Sequence, residues 1–218
     1  MQLLILGAGG QGKVVADAAA LAGEARIEFV DDRYPALTSL SRWPVVAAPD
    51  LGALRARSSR LHIAIGDGAT RERLARAALA LGFELVTVRH PSAVVSPFAS
   101  IGAGSYLGPL ACVNIDAQLG LCTIVNTSAS VDHDCEIADF CHVAPGAHLA
   151  GGVHVGTRSW IGLGAAVRGG QRIGCDVMVG AGAVVVKDVA DGLMVAGVPA
   201  RALARSAQDH SLQEGAAR

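Results

Sequence analysis

Asp132, His133 and Asp134 stand side by side in a chain of 218 residues that is 17% charged and 51% hydrophobic. An imidazole beside carboxylates can serve as a general base, because the acid fixes the tautomer and stabilises the imidazolium. A solvated turn would carry the same three residues, so their meaning depends on the elements that present them. Further along, His142, His148 and His154 have the residue type of a metal cluster. At the front, "GAGGQG" (Gly7 to Gly12) is followed by Asp31 and Asp32. Glycines in that pattern permit a tight turn, amides at a helix start favour phosphate, and an acid about 20 residues on can bind a ribose hydroxyl.

Two kinds of element have to position these groups. From Leu3 to about Pro91, short apolar runs alternate with helical patterns. "LLILGAG", "ARIEFVDD", "LHIAIGD" and "FELVTV" read as strands; "GKVVADAAALAG" and "ATRERLARAALALG" read as helices. Strands alternating with helices imply a small α/β domain with a parallel sheet. Beyond it the period changes to six. Every sixth residue from Val95 to Val185 is Val, Ile or Leu, the residue four places on is usually small, and glycine often follows the aliphatic one. A hexapeptide period is the signature of a parallel β-helix. Each hexapeptide supplies one short strand and one corner, and three close a triangular coil. Val95, Val113, Val131, Leu149, Val167 and Val185 should then stack as one interior column, with two more running from Ile101 and Leu107.

That period assigns places to the polar residues. Histidines 142, 148 and 154 fall on three successive faces of one coil, which opposes convergence on a metal ion; no metal is expected. Cys135 and Cys141 occupy the small inward position and should be buried packing residues. His133 lies two residues after Val131, presented with its flanking acids on a rigid coil, and becomes the candidate base.

The stretch "NTSASVDHDCEIADFCHVAPGAHLAGGVHVG" resembles the catalytic region of the bacterial sugar acetyltransferases related to sialic acid O-acetyltransferase and UDP-4-amino-sugar N-acetyltransferase. "GVPAR", Gly197 to Arg201, is similar to the signature that ends the β-helix in coenzyme A-dependent hexapeptide enzymes. The resemblance covers nearly the whole chain and implies a left-handed helix. It makes His133 the base and Asp134 the acid that raises its basicity, and it puts Asn126 in the same pocket. His142 would touch acetyl-coenzyme A, with backbone at Gly151, Leu163 and Ala181 lining the pantetheine groove. Gly9, Gly10, Gln11, Asp31, Asp32 and Gly66 would hold a nucleoside-diphosphate sugar. Many relatives have histidine where Gln11 stands, a departure that bears on the sugar-facing contacts. The resemblance also implies a homotrimer with acetyl-coenzyme A between adjacent prisms.

The expected organisation is a Rossmann-like nucleotide-sugar-binding domain over 1–91, a left-handed β-helix over 92–190 and a C-terminal segment over 191–218. The end of that segment, "ALARSAQDHSLQEGAAR", is polar and uncapped and is expected to be disordered. The expected activity is acetyl transfer from acetyl-coenzyme A to the amino group, at C4, of a nucleotide-linked amino sugar by direct attack on the thioester. Three rivals stand beside it. A hydroxyl could be the acceptor, as in sialic acid O-acetylation. The chain could be a non-catalytic sugar-nucleotide-binding scaffold. An NAD-dependent oxidoreductase is disfavoured, because the front domain has room for only one mononucleotide-binding half.

Composition narrows the setting. A net charge of −1 and a pI near 6.6 give no basic field for nucleic acid or an anionic membrane. Mean hydropathy is +0.42, yet glycines and charges interrupt every apolar run, so no spanning helix is expected. Five cysteines form no CxxC pair, and "MQLLILGAGG" lacks the features of a secretory signal, so reduced thiols and a cytoplasmic location are expected.

Overall fold

The structure, a computed structural model, describes residues 2–203, so the tail expected to be disordered lies outside the described residues from position 204 on. The front domain contains β1 (Leu3–Leu6), α1 (Gly10–Leu21), β2 (Ile27–Val30), β3 (Ser39–Leu40), β4 (Trp43–Ala47), α2 (Leu51–Arg57), β5 (Arg60–Ile63), α3 (Gly68–Ala80) and β6 (Glu84–Leu85). All four residues of β1 are buried, as a central parallel strand covered on both faces requires. The sheet order is β3-β4-β2-β1-β5-β6, parallel except for the β3–β4 pair. The chain therefore adds strands to one side of β1 and then crosses to the other. The carboxyl ends of β1, β2 and β5 meet at this switch point, where open α/β sheets form their ligand crevice.

Two strands, β3 and β4, and the helix α2 were not foreseen. Pro44 sits inside β4 and interrupts the strand pattern; it opposes Ser39 in the short antiparallel pair at the sheet edge, where a missing N–H is tolerated. With seven residues, α2 is too short to declare a helical period. The strand expected over "FELVTV" is two. Glu84–Leu85 ends the front sheet, while Val88–Arg89 already pairs with Tyr106–Leu107 as the first rung of the next sheet. Arg89 stands where the six-residue period asks for an aliphatic residue, which hides that rung from the pattern.

The second half is a left-handed parallel β-helix with three faces. The first face runs from Val88–Arg89 through Tyr106–Leu107, Ile124–Val125, His142–Val143, Trp160–Ile161 and Met178–Val179 to the terminal strands. The second carries Val94–Val95, Cys112–Val113, Ser130–Val131, His148–Leu149, Ala166–Val167 and Val184–Val185. The third carries Ser100–Ile101, Gln118–Leu119, Glu136–Ile137, His154–Val155 and Arg172–Ile173. Val95 pairs with Val113, Val113 with Val131, and so on to Val185, so the expected interior column is present. From Leu107 to Val185 every aliphatic position of the period is buried. Three residues after each aliphatic one, from Gly104 to Gly182, the backbone turns through a positive φ; the series includes Asp116, Asp134 and Asp176 as well as glycines. Each corner is thus a left-handed turn, a conformation that Gly, Asn and Asp adopt at least cost.

The front domain rests on the first face. Tyr106 and Ile124 are buried with Val15, Ala16 and Ala19 of α1, and Cys122 and Phe140 with Ala75 and Ala78 of α3. At Gly68, a Cβ would lie 2.9 Å from the Phe140 carbonyl oxygen, so the start of α3 can approach the prism only as glycine. Arg158 of the prism reaches Glu72 of α3 at 2.7 Å, and Arg71 is buried between the two domains.

Candidate active site

His133 stands at the corner between the second and third faces, the edge opposite the first face. Its Nδ1 lies 2.6 Å from Asp134 Oδ2. An ionised carboxylate only accepts, so Nδ1 carries the proton and Nε2 the lone pair. Asp134 makes this contact from its left-handed corner, φ 58°. Asp132 faces the other way: Oδ1 accepts from the His133 N–H at 2.8 Å and from Asn114 Nδ2, one coil below, at 2.6 Å. The Asp134 hydrogen bond first, and then the charge of Asp132, raise the His133 pKa above the ordinary imidazole value. The ring is exposed, and Nε2 has no partner among the described residues.

One coil above, Gly151 packs directly on that ring. A Cβ there would lie 2.4 Å from His133 Cε1 and 2.5 Å from Nε2. Its amide makes no hydrogen bond among the described residues, while the next one, Gly152 N–H, donates to the His133 carbonyl at 2.9 Å. Gly169 stands one coil above Gly151 and Gly170 one coil above Gly152, beside the exposed Arg168 of the same corner. A donor amide and a lone pair side by side suit an acyl transfer, in which one group takes a proton while the other meets a developing oxyanion.

Asn126 and His142 lie elsewhere. Asn126 begins the corner between the first and second faces, and its Nδ2 donates to His142 Nε2 at 3.1 Å while Oδ1 accepts from Thr127 N–H at 2.8 Å. Leu163 and Ala181 belong to this same edge and are exposed. The expected single pocket is therefore divided within one chain: His133, Asp134 and Gly151 share one edge, and Asn126, Leu163 and Ala181 share the next. His142 lies on the first face beside the second group. It is buried, its ring centroid 4.0 Å from that of Trp160, and burial first and the Arg71 charge second push its pKa down to about 3. Its Nδ1 is buried without a hydrogen-bond partner of good geometry, close to the Gly66 carbonyl.

The switch-point crevice gathers the remaining residues. Gly7 turns at φ 104°, and a Cβ at Gly12 would meet the Gly7 carbonyl oxygen at 2.0 Å, so these two glycines close the turn against the helix. At Gly9 and Gly10 nothing lies within 4 Å of such a Cβ, which leaves the start of α1 open. Asp31 is buried and committed to its own chain: it accepts from Ala8 N–H at 2.7 Å and from Arg33 Nε at 2.6 Å, and Arg33 lowers its pKa to about 2. Asp32 is exposed. Gln11 Nε2 is buried without a partner. Gly66 follows β5, and a Cβ there would lie 3.6 Å from Trp160 of the prism.

Asn114 and Arg71 were missed from sequence. Asn114 is one coil before Asp132 and becomes visible once the column is drawn. Arg71 shares the buried stripe of α3 with Ala75 and Ala78, so its spacing was a signal in itself. His142, His148 and His154 stand on three different faces, and among the described residues no group of three His, Cys, Asp or Glu could hold a metal. All five cysteines are free; Cys135 and Cys141 are buried, and burial raises both thiols, Cys141 to about 12. No helix among the described residues is long and apolar enough to cross a membrane.

Several known proteins are similar to this chain in sequence and fold. Residues 2–78 match the family described as the PglD N-terminal domain. The chain is 35% identical over 107 residues to GDP-perosamine N-acetyltransferase from Escherichia coli O157:H7, a match spanning 49% of this chain and 48% of that protein's length. Among solved structures, the acetyltransferase domain of PglB from Neisseria gonorrhoeae FA1090 is 43% identical with a TM-score of 0.89, covering 93% of this chain and 99% of that one. PerB from Caulobacter crescentus, solved in complex with CoA and GDP-perosamine, is 42% identical with a TM-score of 0.89, covering 94% and 98%.

Proposed function

The chain belongs to the PglD-type sugar acetyltransferase family, and from that premise we propose that it moves acetyl from acetyl-coenzyme A to the amino group, at C4, of a nucleotide-linked amino sugar. One observation carries the reading: the His133–Asp134 pair, 2.6 Å apart, with a free Nε2 beside the unpaired Gly151 amide. Nε2 accepts a proton from the substrate amine as its nitrogen adds to the thioester carbonyl, and Asp134 stabilises the imidazolium. The Gly151 amide faces the oxyanion. Expulsion of the coenzyme A thiolate follows, and His133 returns the proton to it. Cysteine plays no covalent part, since Cys135 is turned inward and its thiol is held protonated. The open backbone at Gly151, Gly169 and Gly170 suits the pantetheine arm of the donor.

The nucleotide sugar belongs in the switch-point crevice, with phosphate at the open start of α1 and Asp32 as the exposed carboxylate. Asp31 holds the glycine loop in place through Ala8. This crevice adjoins the first face, whereas His133 stands on the opposite edge. A sugar held by one copy therefore meets the His133 of a neighbour, and a homotrimer packed through the second faces would supply it. Val94 on that face and Leu110 and Leu163 beside it are large, apolar and exposed, which supports an interface there.

The test is an incubation with acetyl-coenzyme A and GDP-, UDP- and dTDP-linked 4-amino sugars, following thiol release. GDP-perosamine comes first, since two similar proteins act on it or bind it. Acetylation of one amino sugar is the expected outcome. Turnover only with hydroxyl acceptors would replace the amine, and absence of both turnover and coenzyme A binding would sink the enzyme reading.

A further inference from the structure

Arg71 is 1% exposed and makes no ion pair among the described residues, though the charge of Asp67, four positions earlier, acts on it from a distance. Its guanidinium instead donates to five main-chain carbonyls on both sides of the domain junction. On the front-domain side these are Ile65 and Gly66, each at 2.7 Å. On the prism side they are Cys122 at 2.9 Å, Cys141 at 3.1 Å, and Phe140. Burying a cation without an ion-paired carboxylate is costly, and an apolar side chain could pack at a junction without that cost. What the planar fork alone supplies is direction: several donors at fixed angles that tie two backbones to each other. The tie falls at the crevice and beside a histidine that the prism and front domain bury. Gly66 closes the switch-point crevice after β5, and Cys141 directly precedes His142. Gly66 also packs against Trp160, whose ring lies on His142.

Resting on the nucleotide-sugar reading above, we propose that Arg71 is a positioning residue for acetyl transfer, holding the 65–66 loop of the nucleotide crevice in register with the prism. Asp67 caps α3 by accepting from Thr70 N–H at 2.7 Å, so the helix begins at the crevice loop and brings Arg71 inward on its first turn. Loss of the fork frees the loop while leaving the glycine edge above His133, on the far side of the prism, untouched. Nucleotide binding should suffer and coenzyme A binding should not.

The experiment measures calorimetric affinities for GDP, UDP, dTDP and coenzyme A in the wild type, Arg71→Met and Arg71→Lys. Arg71→Met should weaken binding of the preferred nucleotide by about tenfold or more while coenzyme A affinity stays within about twofold. Arg71→Lys, which keeps the charge but not the fork, should fall between. If Arg71→Met does not fold, the selective nucleotide loss in Arg71→Lys carries the test. Unchanged nucleotide affinity in a folded variant, or equal loss for both ligands, overturns the assignment of Arg71 alone. A wild type that binds coenzyme A but none of the three nucleotides removes the crevice reading and this proposal together.

Discussion

His133 and His142 lie nine positions apart, half a coil of the prism, yet their surroundings drive their protons in opposite directions. His133 is on an open edge between two aspartates, and its pKa is raised. His142 lies under the front domain, beside Trp160 and near the Arg71 cation, and its pKa falls to about 3. The repeat supplies the same rigid backbone to both. What separates a group able to exchange protons from one held neutral is whether a second domain covers its face. The lesson is that a hexapeptide prism is chemically blank until its faces are allotted.

The comparison can be broken most sharply at the exposed histidine. His133→Ala should lower turnover by about 10²- to 10⁴-fold while coenzyme A still binds, measured by thiol release and calorimetry. Turnover near wild type would leave the base to another group. Next in size is Gly151→Ala, whose methyl must displace the His133 ring or the coil above it; a fall of about tenfold to a hundredfold in kcat is expected in steady-state assays. Asp134→Asn should cost about tenfold in the plateau rate and move the acid limb of the pH–rate profile. Because Asp134 raises the His133 pKa, its neutral amide lets that pKa fall, and the limb shifts to lower pH.

The smallest effect concerns the covered histidines. His142 and His62, a buried residue of β5 whose Nδ1 lies 2.8 Å from the Val86 carbonyl oxygen, have lowered pKa values, about 3 and about 4, chiefly through burial. A lowered histidine pKa means the unfolded chain takes up the proton first. The contribution of these two histidines should thus be level above about pH 6.5 and fall as pH drops toward 4, by about 1.4 kcal/mol per pH unit for each. Thermal melts of the wild type and His142→Asn test this: the variant, whatever its absolute stability, should lose stability less steeply with acid. Equal slopes would mean that His142 titrates normally in the folded chain.

The prism was legible because its pattern is redundant. Each aliphatic position from Leu107 to Val185 repeats one instruction, and inward Cys135 and Cys141 follow from the same period. Arg89 shows the limit, since one residue outside the pattern concealed a rung. The front sheet's central strands were legible from their apolar runs, whereas Pro44 and the brief α2 carry little local signal. At the site, the neighbouring positions of His133 and Asp134 pointed to their contact, and an eighteen-residue coil puts Gly151 above them. The covering of His142 was not legible, because it depends on which face the front domain adopts. Arg71 shows this most plainly: its spacing marked it as buried, but its five partners come from three separated stretches of chain.

The coil also makes the prism a ruler. Successive rungs of one face are eighteen residues apart in sequence and about 4.8 Å apart in space. Inserting one more coil above Gly169 would lengthen the edge by that distance without rotating His133, Asp134 or Gly151. Distance along that edge can therefore change in whole graduations while the contacts at its lower end stay fixed. A chain built this way can lengthen or shorten an edge by changing its coil number alone.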